Sequence, residues 1–393
     1  MTLERVKLAK VVDVKGGKRL PAGVSFSSEP TAHPYIRGQD IRGGRIRAGE
    51  QLYITEAVFE KIRRYTVKAG DVCVTIVGNI GDVGVTPPEL DGANLTENAV
   101  KLIPTTSKLD SRFLAYALLS PEAQQQMKLS AAGAAQAKLG IYKVNDIEIP
   151  FPAVDSQRRI ASILSAYDDL IENNTRRIAI LEEMARRIYE EWFVRFRFPG
   201  HEGVRMVDSE MGLVPEGWKV RPLGNEIDLA YGKALKAEHR GVGDVPVYGS
   251  SGVVGHHSAP LVAGPGIIVG RKGNVGSVHW CDVPFFPIDT VFYVKTALPL
   301  HYVFFNLQQQ NFLNNDAAVP GLNRNQAYAL PLLVPSPIVL SKFEALAAQQ
   351  LGLARLLARK NVNLRATRDL LLPKLISGEL DVSALPEPES LAA

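Results

Sequence analysis

Over residues 156–194 apolar side chains recur in two interleaved seven-residue series. One holds Leu164, Ile171, Ile178, Ala185 and Trp192; the other, four residues earlier, holds Ile160, Tyr167, Asn174, Leu181 and Ile188. This spacing predicts one long helix with a coiled-coil seam of about five heptads. At ~1.5 Å per residue it is on the order of 55–60 Å long. Ser156 is its candidate N-cap. Asn174 is the polar member of the seam, either a tolerated defect or a device that fixes register. A second helical pattern, 341–372, aligns Phe343, Leu346, Leu353, Leu357, Leu364 and Leu371, interrupted by Gln350, Lys360 and Thr367, with Pro373 as its stop. Neither stripe can bury itself alone. The two helices are therefore expected to pack antiparallel, with Ile171, Ile178, Leu181 and Ile188 facing Leu346, Leu353, Leu357 and Leu364.

The segments between these helices are rich in glycine, proline and β-branched residues, and they repeat. Gly78-Asn79-Ile80-Gly81 returns as Gly273-Asn274-Val275-Gly276, and Val12-Asp13-Val14 with Gly17-Lys18-Arg19-Leu20 returns as Ile227-Asp228-Leu229 with Gly232-Lys233-Ala234-Leu235. Leu109 to Leu114 answers Leu298 to Val303, and Ile147 to Pro152 answers Leu332 to Pro337. A period this long predicts two similar domains, each followed by its own helix, and not a solenoid. Val72 to Val77 reads as a buried strand followed by a turn, and Arg112 to Met127 as helical. The expected division is 1–152, first domain; 153–198, first helical region; 199–217, connector; 218–337, second domain; 338–380, second helical region; 381–393, tail. The fold class is α+β, with a two-helix antiparallel coiled coil separating the two similar domains.

The net charge of +4 on 393 residues decides little, but residues 1–70 carry 14 Lys or Arg against 7 Asp or Glu. That local excess favours a polyanionic partner. Cys73 and Cys281 lie far apart, with no metal or disulfide spacing. No 18-residue apolar run is present, so no membrane span is expected. Enzyme motifs are missing. There is no phosphate-binding GxxxxGK[ST] loop, no Asn/Asp/Ser-Pro-Pro-aromatic tetrad for a flipped base (Thr86-Pro87-Pro88-Glu89 is the nearest string), and no zinc spacing around His256-His257 or His279-Trp280-Cys281. Gly270, Gly273 and Gly276 with Lys272 resemble a phosphate cradle, but their match to Gly78, Gly81 and Gly84 favours a shared turn. Basic loops remain: Lys15, Lys18, Arg19, Arg37, Arg42, Arg45 and Arg47 in the first copy, and Lys233, Lys236, Arg240, Arg271, Lys272 and Asn274 in the second. Such side chains can contact phosphates or base edges. A non-catalytic coiled-coil adaptor and a fused DNA-modifying enzyme stand as alternatives.

The chain resembles the specificity (S) subunits of Type I restriction-modification enzymes. The residues that carry the resemblance are Gln157-Arg158-Arg159-Ile160-Ala161 after Ile149-Pro150-Phe151-Pro152, then Asp168, Ile171, Asn174, Leu181-Glu182-Glu183 and Trp192-Phe193-Val194. Val214-Pro215-Glu216-Gly217-Trp218 and the segment Leu372 to Leu380 extend it. Ser341-Lys342-Phe343-Glu344 departs from the family's glutamine with basic residues. The resemblance implies two target-recognition domains, each reading half of a split DNA sequence, and helices that set the spacing and dock partners. The basic stretch Arg37 to Arg47 has no close counterpart near Tyr248 to Gly255, which predicts an asymmetric site, and a rod of fixed length predicts about one helical turn between half-site centres. It implies double-stranded DNA, two methylation (M) subunits and restriction/motor (R) subunits as partners, in a prokaryotic cytoplasm. It implies no catalysis and no cofactor in this chain, with S-adenosylmethionine, ATP and magnesium used by the partner subunits.

Overall fold

A computed structural model describes residues 4–49, 51–131, 137–241, 243–312 and 321–385. Of the expected tail, 386–393 lies outside the described residues. The structure mixes helix and sheet. It resolves into two units, one of Met1–Asn173 with Lys360–Ala393 and one of Asn174–Arg359.

The first unit opens with β1 (Arg5–Lys7), β2 (Val12–Gly16), β3 (Pro34–Ile36), β4 (Ile41–Arg42), β5 (Gly44–Ile46), β6 (Leu52–Tyr53) and α1 (Glu56–Ile62). It continues through β7 (Val72–Thr75), β8 (Val83–Val85), β9 (Asn94–Leu95), β10 (Ala99–Pro104), α2 (Ser111–Leu119), α3 (Pro121–Ala131), α4 (Ile141–Asn145) and β11 (Glu148–Pro150) to the long helix α5 (Val154–Tyr189). A six-stranded sheet runs β2-β10-β7-β8-β5-β4, β3 lies between β6 and β9, and β1 pairs with β11. Every residue of β7 is buried, as expected of an apolar strand inside a sheet. The predicted helical stretch 112–127 is two helices. Asp110 caps the first by accepting from the Phe113 N–H at 2.9 Å. Pro121 starts the second, where its missing N–H is harmless.

The second unit takes α5 from Asn174 onward and a π-turn at Glu190–Val194. It then runs β12 (Met206–Ser209), β13 (Gly212–Pro215), β14 (Lys219–Pro222), β15 (Ile227–Tyr231), β16 (Val245–Gly249), β17 (Gly252–His257), β18 (Gly266–Gly270), β19 (Val278–Cys281), β20 (Phe286–Pro287) and β21 (Val291–Thr296). After these come α6 (Leu300–Gln309), α7 (Arg324–Ala329), β22 (Pro331–Val334) and α8 (Pro337–Ser377). Its sheets run β15-β21-β18-β19, β17-β16-β20 and β14-β22. These reproduce β2-β10-β7-β8, β3-β9 and β1-β11 of the first unit. The match includes the parallel pairs Tyr35 with Asn94 and Val247 with Phe286. The sequence repeat is thus a repeat of topology. The segment read as a connector holds the β12–β13 hairpin.

The long helices are built into both units. In the first, Ile160, Ala161 and Leu164 of α5 share one core with Leu375 and Ile376 of α8, and Asn361 donates its amide to the Ile171 carbonyl at 3.2 Å. In the second, Ala185, Tyr189, Trp192 and Phe193 share a core with Phe343 and Ala347. The Phe193 ring lies 4.8 Å from that of Tyr302 and 5.0 Å from that of Phe343.

Four expectations need correction. The long helix begins at Val154, so Ser156 is inside it and is not its N-cap. The second helix spans 337–377, and Pro373 lies within it. A proline removes one hydrogen bond, but burial of Leu375 and Ile376 beyond it holds the last turn in place. The third correction is the register of the second seam. Leu346 and Leu353 are 38% and 39% exposed, whereas Ala347 and Ala354 are buried, as are Asn361 and Leu375. The series starting at Phe343 is right; its companion lies four residues on, not three. Small alanines let helix backbones approach, so they are chosen over the larger leucines beside them. The fourth is degree of burial: Ile178, Leu181, Ile188 and Leu364 are only half-buried, whereas Leu164, Ile171, Asn174 and Leu357 are buried.

Candidate nucleic-acid interface

The repeated glycine-lysine pair is held by one device in both units. Gly17 and Gly232 press against main chain. A Cβ on Gly17 would stand 2.0 Å from the Thr96 carbonyl oxygen, and one on Gly232 would stand 2.1 Å from that of Ile288. The next N–H donates to a carbonyl in each case, Lys18 to Leu95 at 2.8 Å and Lys233 to Pro287 at 3.0 Å. Both lysines are exposed. The Lys18 ammonium lies 5.8 Å from the Tyr65 ring centre, within cation–π range.

The other first-unit cations separate into two groups. Lys15 pairs with Asp13 at 2.9 Å, Arg19 with Glu97 at 3.6 Å, and both are largely exposed. Arg42 and Arg47 are exposed as well. Arg42 faces Asp82, whose carboxyl is raised by partial burial and held back by this charge. Arg37 is engaged internally, gripping buried Asp40 at 2.7 and 3.0 Å. Arg45 is clamped by Asp169 and Glu172 of α5. Both guanidiniums are engaged on carboxylates of the first unit. Lys61, Arg63, Arg64 and Lys68, all exposed around Tyr65, were missed as a group. The dense run of charge at 61–68 was their signal.

In the second unit Arg240 is engaged on the Leu235 carbonyl, its Nε at 3.0 Å. Lys236 lies 3.7 Å from Glu238 and is exposed. Lys272 and Asn274 are exposed on the glycine turn. Gly273 and Gly276 have φ of 77° and 74°, as Gly78 and Gly81 have 79° and 92°. The Gly276 N–H closes on the Gly270 carbonyl at 2.8 Å, as that of Gly81 closes on Thr75 at 3.0 Å. Both strings are therefore the shared turn, not a phosphate cradle. Arg271 lies over the Tyr231 ring, as does Arg324, a residue without any sequence signal.

The residues behind the resemblance hold the domains to the helices. Gln157 is fully buried and satisfied: its amide donates to Lys108 and Pro152 carbonyls at 2.9 and 2.8 Å and accepts from the Asp110 N–H at 2.9 Å. Asp168 accepts from the Tyr116 hydroxyl at 2.7 Å and pairs with Arg368. Near the start of α8, where Lys342 stands in place of such a glutamine, Glu344 substitutes by accepting from the His301 N–H at 3.2 Å and from its ring at 2.8 Å.

Residues 2–183 match the sequence model of the Type I restriction modification DNA specificity domain. The chain is a relative of the Type I specificity subunits. Over 202 residues it is 28% identical to the Type I restriction enzyme MjaIX specificity subunit of Methanocaldococcus jannaschii, covering 51% of this chain and 46% of that one. Over 140 residues it is 27% identical to the EcoBI specificity subunit of Escherichia coli, covering 35% and 29%. The chain spans about half the length of the curated relatives it matches most extensively. Its fold is that of the S subunit of a Type I restriction-modification system from M. genitalium, at TM-score 0.63 and 19% identity over 95% of this chain and 96% of that one. Among the described residues no helix is long and apolar enough to cross a membrane, and no group of three or more His, Cys, Asp or Glu is placed to hold a metal. The sequence resemblance is borne out, and the specificity-domain match covers the whole first β-rich region and most of α5.

Proposed function

We propose that this chain supplies DNA sequence specificity to a Type I restriction-modification complex. Each β-rich domain reads one half of a bipartite, asymmetric target, and α5 and α8 form the antiparallel coiled coil that separates them. The observation that carries this reading is the repeated topology with an exposed lysine fixed at the same glycine turn in both copies. Two copies of one scaffold suit two half-sites, and unlike side chains on them suit unlike letters. The chain contributes recognition and no bond-making step. Methylation subunits, two in number, act with S-adenosylmethionine, and restriction/motor subunits act with ATP and magnesium. No residue of this chain is assigned to those cofactors. Outward-facing Ile180 and Met184 of α5 and Leu346, Leu353 and Leu356 of α8 support docking of the methylation subunits, because exposed apolar helix positions are costly without a partner.

The test is to express the chain with its methylation subunits in an unmodified host and sequence the modified bases. An asymmetric two-part motif separated by unspecified positions is expected, and purified chain alone should transfer no methyl group. A single continuous motif, or methyl transfer by the chain alone, sinks the reading.

A further inference from the structure

We infer that Arg271 and Arg324, seated on Tyr231, form a clamp for one backbone phosphate of the second half-site. This rests on the DNA-reading function above and adds to it a residue-level contact belonging to one domain only. Tyr231 ends β15 with half its surface exposed. Both guanidinium carbons lie 5.1 Å from its ring centre. Arg271 also lies 5.9 Å from the Phe292 ring, and Arg324 lies 5.6 Å from that of Tyr328. Among the described residues neither arginine has a carboxylate within ion-pair distance. Asp289 offers its carbonyl to Arg271 at 2.8 Å, and Asp228 accepts from the Tyr328 hydroxyl at 2.9 Å. Two positive charges thus converge on one ring, neither in an ion pair with a described residue. Exposed Lys272 follows Arg271 and exposed Lys233 lies two residues after Tyr231, adding to the positive field.

The first unit shows that the fold does not require these charges. Backbone hydrogen bonds align the two copies residue by residue here. The Arg271 and Lys272 N–H groups both donate to Thr290, as those of Ile76 and Val77 both donate to Asn98. The Leu322 N–H donates to the Arg271 carbonyl, as that of Leu139 donates to Ile76. Tyr231, Arg271 and Arg324 therefore stand where the first unit has Gly16, Ile76 and Ile141. There, Ile76 is buried in the core and Ile141 is 40% exposed beside Gly16, so the matching positions carry no charge. Where the first unit carries two isoleucines, the second carries two guanidiniums. Arg271 spends one N–H on the Asp289 carbonyl, and a guanidinium's remaining N–H groups can match two phosphate oxygens. One base edge is served by one arginine. Two converging arginines suit the more concentrated charge of a phosphate.

The experiment uses the complex of the full chain with its methylation subunits on a duplex bearing the methylated motif. Affinity is measured across a potassium chloride series for wild type and for an Arg271→Ile/Arg324→Ile double variant, which installs the first unit's own residues. Loss of one phosphate contact should reduce the slope of log affinity against log salt by about 0.9. Between 50 and 200 mM salt the double variant should then lose roughly threefold less affinity than wild type does. The methylated letters should stay the same. An Arg271→Lys/Arg324→Lys variant retains charge and should keep most of the slope. It also serves as the comparison should the isoleucine variant fail to assemble, and a slope reduced by about 0.9 in the lysine variant would overturn the clamp as a charge site. An unchanged slope in an assembled isoleucine variant overturns the proposal. So does a changed letter in the second half-site at constant slope, which would make these arginines base readers. If wild-type complex binds no DNA at all, the parent reading falls with it.

Discussion

Cys73 lies at the centre of β7 with no exposed surface, and burial pushes its thiol from the ordinary 9.0 up to about 12. The folded chain holds that proton where the unfolded chain has released it. The associated stabilisation is complete below pH 9 and is lost as pH rises toward 12. Burial raises the hydroxyls of Tyr116, Tyr189 and Tyr302 as well, so alkaline conditions work against the fold at several points. Urea midpoints measured from pH 8 to 10.5 should fall, and Cys73→Ala should flatten the part of the decline nearest pH 9. Iodoacetamide should label Cys73 in denatured chain only. At Gly17 the constraint is steric. A Cβ there would meet the Thr96 carbonyl oxygen at 2.0 Å, and that main chain is tied in place by the Thr96 N–H donating to Ile36 at 3.0 Å. Gly17→Ala should cost about 1–3 kcal/mol, read as a lower melting temperature, and Gly232→Ala should behave alike. The repeat exposed both glycines in the sequence. What the sequence could not show was which cations are already engaged. Arg45 and Arg42 are three residues apart and look alike on paper. Only the fold brings Asp169 and Glu172 against the first and leaves the second exposed.

Among the elements, the two long helices were the most legible, because a period sustained over many turns survives local noise. Of the expected seam of α5, Ile160, Leu164, Ile171, Asn174, Ala185 and Trp192 are buried, whereas Tyr167, Ile178, Leu181 and Ile188 are half-buried. That of α8 was half misread because leucines at 346 and 353 outrank alanines at 347 and 354 on any hydrophobicity scale, while close packing selects the smaller residue. Leu346→Ala should therefore be nearly neutral for stability of the isolated chain, whereas Ala347→Leu should cost about 1–3 kcal/mol by overpacking against Phe343 and its neighbours. Leu164→Ala, at a fully buried position, should cost about 2–5 kcal/mol. Half-buried Leu181→Ala should cost less than Leu164→Ala. Thermal melts of the four variants check the order; a larger loss for Leu346→Ala than for Ala347→Leu would contradict the corrected register. The β-strands were legible mainly through repetition. Short strands such as β4, β6 and β9 have two residues each, too few for any period to appear.

For the molecule as a whole, duplication was readable and asymmetry was readable only in part. The first unit carries β4, β5, β6 and α1 with the cations around Tyr65; the second carries the β16–β17 hairpin and the clamp on Tyr231. Two such surfaces present different donors, so the methylated motif should not be palindromic, which base-modification sequencing would reveal. Lengthening both helices by one turn of four residues, about 6 Å, should alter the spacer by about two base pairs at ~3.4 Å each and leave the letters unchanged. Altered letters would show that the helices do more than space the domains. Arg324 explains why the candidate site was hardest to foresee: 93 residues separate it from Tyr231, and only the closing of the sheet brings them together.

The second unit is one unbroken stretch, 174–359, while the first borrows Leu375, Ile376 and Val382 from beyond it. On the ribosome this reverses the order of completion. The N-terminal unit, begun first, must wait with Ile160 and Leu164 uncovered until the later-made domain has emerged. A nascent chain arrested just after residue 359 has cleared the ribosomal exit tunnel should hold a protease-resistant second unit beside an unfinished first one. Continuing synthesis through Val382 should protect both, making assembly of the first unit a late event in the life of the polypeptide.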